Sequence, residues 1–97
     1  MALSPLGNGH VITLTDTERK RIPALRGSVQ ALVQVTGAEP MAYCVAHDPE
    51  GADMIFTLQP GDNMVLETQD QVDCFRASCA TDNTTTQISV QQFMERG

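Results

Sequence analysis

The chain has 97 residues, with 12 acids against 6 bases and a formal net charge of -6. That length allows one domain and not two. The acidic balance disfavours general nucleic-acid binding, which rests on an excess of Lys and Arg facing phosphates, and no apolar run approaches the length of a membrane-spanning helix.

In chain order, residues 1–10 contain Pro5, Gly7 and Gly9 and read as an extended N-terminal arm, with no basic or apolar leader signature. Val11 to Thr15 places Ile12 and Leu14 on one face of a strand. Thr15 to Arg21 could hold one helical turn capped by Asp16, limited by Pro23. Val29 to Val35 is the clearest strand, with Val29, Ala31, Val33 and Val35 on one face and Gln30, Leu32 and Gln34 on the other. Met41 to His47, Met54 to Gln59, Asn63 to Thr68 and Thr86 to Phe93 alternate in the same way. Val72 to Cys79 changes phase near Cys74, which predicts a strand buried on both faces or a bulge. Turn chemistry separates these segments at 36–40, at Asp48-Pro49-Glu50-Gly51, at Gln59-Pro60-Gly61-Asp62-Asn63 and at Thr81-Asp82-Asn83-Thr84. The pattern predicts an all-β fold: a single β-sandwich of about seven strands over 11–97, in jelly-roll or immunoglobulin-like order.

Reactive chemistry is sparse. Cys44, His47, Cys74 and Cys79 form a conceivable zinc set, but strand residues three or five apart point to opposite faces and no CxxC knuckle is present. Asp48, Glu50 and Asp53 lack the spacing of a calcium loop. The three cysteines are therefore expected as buried structural thiols of a reducing compartment. His10 and His47 are the only histidines, no nucleophile elbow appears, and Pro60-Gly61-Asp62 lacks the histidine cluster of a cupin metal site. No catalytic residue, cofactor or metal is expected, so the chain reads as a non-enzyme. A sugar-binding or receptor-binding sandwich is the alternative, but it would want exposed aromatics, and the chain has no Trp and Tyr43 as its single Tyr. Asn83-Thr84-Thr85 is read as a polar turn.

Two surface features stand out. Arg19, Lys20, Arg21 and Arg26 supply four of the 6 bases with no acid between them, a candidate docking segment for an acidic partner. Gln30, Gln34, Gln59, Gln69, Gln71, Gln87, Gln91 and Gln92 suggest strands whose wet faces carry amides, groups cheaper to desolvate than ions.

The order of features resembles a family of small tailed-bacteriophage virion proteins. The resemblance runs over roughly 11–93. It rests on the opening strand Val11-Ile12-Thr13-Leu14-Thr15, the pairing strand from Ser28 to Gly37 and the turn Leu58-Gln59-Pro60-Gly61. Arg76-Ala77-Ser78 and the stretch Thr85 to Val90 complete it. Asp82-Asn83 stand where such chains place a glycine, and Asn tolerates the left-handed conformation Gly would supply. The resemblance implies a virion protein assembled in the host cytoplasm: a capsid decoration or cement subunit, or else a neck, tail or fibre component. Its implied partners are the major capsid protein or another virion protein and further copies of itself, a trimer being favoured, with no nucleic acid and no membrane.

Overall fold

A computed structural model gives the fold for residues 2–45 and 55–96. The turn expected at Asp48-Pro49-Glu50-Gly51, and the candidate ligands His47, Asp48, Glu50 and Asp53, lie outside the described residues. Eight strands and one helix follow in chain order: β1 (Ala2–Thr15), β2 (Lys20–Arg21), β3 (Ser28–Val35), β4 (Met41–Val45), β5 (Phe56–Leu58), β6 (Asn63–Leu66), α1 (Gln69–Cys74), β7 (Phe75–Cys79) and β8 (Thr85–Arg96).

The strands form two four-stranded sheets, ordered β1-β8-β3-β6 and β2-β7-β4-β5. β1 pairs with β8, β2 with β7, β3 with β6 and β4 with β5, all antiparallel. The chain is thus a long ribbon folded back on itself and rolled up, and β3–β8 and β4–β7 pairing completes each sheet. This is jelly-roll order, so pairing decides between the two sandwich topologies that periodicity leaves open.

Alternation builds the core. Leu14, Ala31, Val33, Val35, Leu66, Ile88 and Val90 face inward from the first sheet, and Ile22, Met41, Phe75, Ala77 and Cys79 meet them from the second. Each fully buried Val, Leu, Ile, Met or Phe contributes about 1.5–3 kcal/mol of transfer free energy. Tyr43 stacks between Phe56 and Phe75, at centroid distances of 5.5 and 5.8 Å.

Three expectations change. Residues 2–10 are extended, but they are spent in pairing: Ala2 opposes Arg96, and the register shifts between Leu6 and His10. Gly7 sits in that shift at φ 68°, a left-handed conformation that favours glycine. At 16–26 no helical turn forms; Asp16 adopts φ 53° in a turn and the chain then lays the two-residue β2 on β7. The phase change near Cys74 is the end of α1. Thr68 caps that helix by accepting from Gln71 N at 3.1 Å, and the Gln71 side chain accepts from Glu67 N at 2.7 Å. Such reciprocal capping stabilises a short helix. Val72 then seals the core from the helix side. The last turn follows its expectation, with Asn83 at φ 61°.

Candidate functional site

The outer face of the second sheet carries the concentrated positive charge. Ala77 points into the core, so its neighbour Arg76 points out, and register places Arg21 opposite Arg76 on one side and Cys44 opposite it on the other. Arg19, just before β2, reaches the same outer face beside Arg76. Both strand arginines converge on one backbone oxygen at the end of α1. Arg21 Nη2 donates to Asp73 O at 3.2 Å and Arg76 Nη1 donates to the same oxygen at 3.0 Å. Arg76 Nη1 also lies 3.0 Å from Phe75 O. A helix C-terminus favours cations, because its last carbonyls lack intrahelical donors.

Beside this row lies an open cleft of about 180 Å³, lined by Arg19, Arg76, Thr17, Ser78, Cys44 and Ile55 among others. Arg19 and Arg76 flank its polar part, and Cys44 is buried at its base. The guanidinium fork matches carboxylate geometry and keeps its charge at any accessible pH.

The expected docking segment is therefore split. Arg19 and Arg21 belong to this face. Lys20 turns the other way and donates from Nζ to Thr13 O at 3.2 Å, tying β2 to β1. Arg26 stands exposed in the turn before β3, closed by Ser28 N donating to Leu25 O at 3.0 Å, and does not line the cleft. Arg76, which joins the site, lies far from the basic segment in sequence. Its only local signal is an outward position in a strand between core residues.

The thiols do not converge. Cys79 lies in the core with Sγ 3.2 Å from Leu14 O, Cys44 lies under the cleft, and Cys74 ends α1; all three are buried and none forms a disulfide. Desolvation, then Asp70, pushes the Cys74 thiol above its ordinary value. Arg76 opposes the shift, Asp73 adds to it and Arg21 opposes it. Among the described residues no three His, Cys, Asp or Glu side chains are grouped to hold a metal, and no helix is long and apolar enough to cross a membrane.

The glutamines also divide. Gln30, Gln34, Gln87 and Gln91 occupy the outer face of the first sheet, whereas Gln69 and Gln71 belong to α1. Gln92 is buried at 1% exposure, inside rather than on the wet face. Its Nε2 donates to Pro23 O and its Oε1 accepts from Leu25 N, both at 2.9 Å. It thereby pins the segment after β2 beneath the sandwich. Comparison with known proteins yields no match to a family model, a curated protein or a solved structure.

Proposed function

We propose that this chain is a non-enzymatic structural subunit of a tailed-bacteriophage virion, a decoration protein that docks on an acidic surface of the major capsid protein. The observation that carries this reading is the row of Arg19, Arg21 and Arg76 on one outer face of a chain whose net charge is -6. Two acidic surfaces repel wherever they meet, so an acidic partner is steered onto the one face where arginines cluster. The resemblance to small virion proteins supports the same reading. A jelly roll provides a stiff plate, and fold alone does not specify function. Docking at many symmetry-related positions would add avidity to contacts that are individually weak.

The test is quantitative mass spectrometry of purified particles, with this chain counted against the major capsid protein. Stoichiometric abundance is the expected result, and a count far below it moves the subunit to the neck, tail or fibre. Complete absence from particles overturns the proposal. Charge reversal separates the residues: Arg19→Glu with Arg21→Glu and Arg76→Glu strips the protein from particles, while Lys20→Glu with Arg26→Glu leaves occupancy unchanged.

A further inference from the structure

The opposite outer face, on the first sheet, has a different character. Register sets Val11, Ser89, Gln34 and Asn63 in one row across β1, β8, β3 and β6, and Gln91, Leu32 and Val65 in the next. Thr13 opposite Gln87 and Gln30 opposite Phe93 extend these rows along the sheet. None of these side chains ionises, although charged residues make up 19% of the chain. Three apolar side chains of this face reach solvent: Val11 on the edge strand β1 is 61% exposed, Leu32 on the inner strand β3 39% and Val65 beside it on the edge strand β6 46%. Val11 and Leu32 border a shallow groove of about 350 Å³.

We propose that this face is the contact between two copies of this chain, related by a two-fold axis. Charge selects the occupant. Copies with net charge -6 repel one another across most orientations, and the central rows of this face let two of them meet without bringing carboxylates together. A charged partner would find no ion to pair with in these central rows, although His10 borders the groove and Glu95 stands beyond them near the end of β8, whereas glutamine and asparagine amides are donors and acceptors at once. An amide-rich face is therefore complementary to itself, as a two-fold contact requires. Sheets pack face to face at about 10 Å, and the apolar side chains would fill that layer. Four strands at ~4.8 Å spacing, over roughly 30 Å of β8, present about 500 Å² per copy. Two copies would bury about 1,000 Å² in all, the lower edge of a specific interface. Interfaces at this lower edge are weak and transient, and area alone does not set affinity; the expected dissociation constant is on the order of 10 µM. The contact is independent of the arginine face, so it stands whether or not that face docks on a capsid.

The experiment is sedimentation equilibrium of the full chain at concentrations up to about 0.5 mM, well above the expected dissociation constant. A dimer is expected, with affinity undiminished as salt shortens the Debye length from ~30 to ~3 Å. Leu32→Glu, and separately Val65→Glu, should weaken it roughly 100-fold by burying an unpaired charge. Both positions are solvent-facing, and an unchanged melting curve confirms that the fold is intact. A monomer throughout, a three-fold assembly, or an oligomer whose mass both variants leave unchanged overturns the proposal.

Discussion

Replacing Gln92 by Leu isolates the contribution of one buried amide. The side chain is 1% exposed and bonds, among the described residues, to backbone alone, donating to Pro23 O and accepting from Leu25 N at 2.9 Å. Leu keeps most of the volume, so little cavity term arises, and the loss is that of two hydrogen bonds. A neutral backbone group left dry and unpaired costs about 1–3 kcal/mol. Pro23, Ala24 and Leu25 are themselves exposed, so their backbone can turn partly to water. The low end of the range for each group applies, giving about 2 kcal/mol. For a domain of this size that lowers Tm by roughly 8–16 °C. The assay is thermal denaturation with hydrogen exchange read at the Leu25 amide, which should lose protection before the strands do. A Tm within about 2 °C of the unsubstituted chain, with Leu25 still protected, would refute the reasoning and show that the bonds add nothing net.

Gly37→Ala should destabilise the fold by about 3 kcal/mol through overpacking, measured by the same denaturation. A Cβ there would meet Thr86 Oγ1, itself held by donation to Glu39 O, and would stand 2.5 Å from Gln87 N. Neutral behaviour would mean that the chain at Gly37 can lift from β8 without breaking Gly37 N to Gln87 O. The Cys74 thiol makes stability depend on alkaline pH. Folded Cys74 keeps its proton where the unfolded thiol releases it, so the unfolded state binds fewer protons and stability falls as pH rises. The contribution is complete below the ordinary thiol value of 9.0 and is lost as pH climbs through the raised folded value. Cys74→Ala should remove that part of the slope, and identical pH profiles for the two proteins would contradict it.

Local alternation made much of the sandwich legible. Ile12 with Leu14, Ala31 with Val33 and Val35, Met64 with Leu66, and Ile88 with Val90 turn inward together, as period two requires. Asn83 takes the left-handed turn position its side chain permits. Other signals were present but outweighed. Thr68 and Gln71 carry a capping pattern, yet Val72 and Cys74 alternate like a strand, and α1 is too short to display a helical period. Pro5, Gly7 and Gly9 read as an extended arm because glycine and proline weaken strand propensity, whereas β8 supplies enough partners to hold residues 2–15 in one strand.

The sequence by itself determined which apolar positions share a strand face, where the chain turns and that strands predominate, because each depends on neighbours a few positions away. Tertiary structure alone decided that the ribbon rolls as 1-8-3-6 against 2-7-4-5, that Arg76 joins Arg21, and that Gln92 points inward to a backbone segment far from it in sequence. Strand partnership and register are set by the summed burial of both sheets. That sum is a property of the closed sandwich, and no single stretch of sequence contains it.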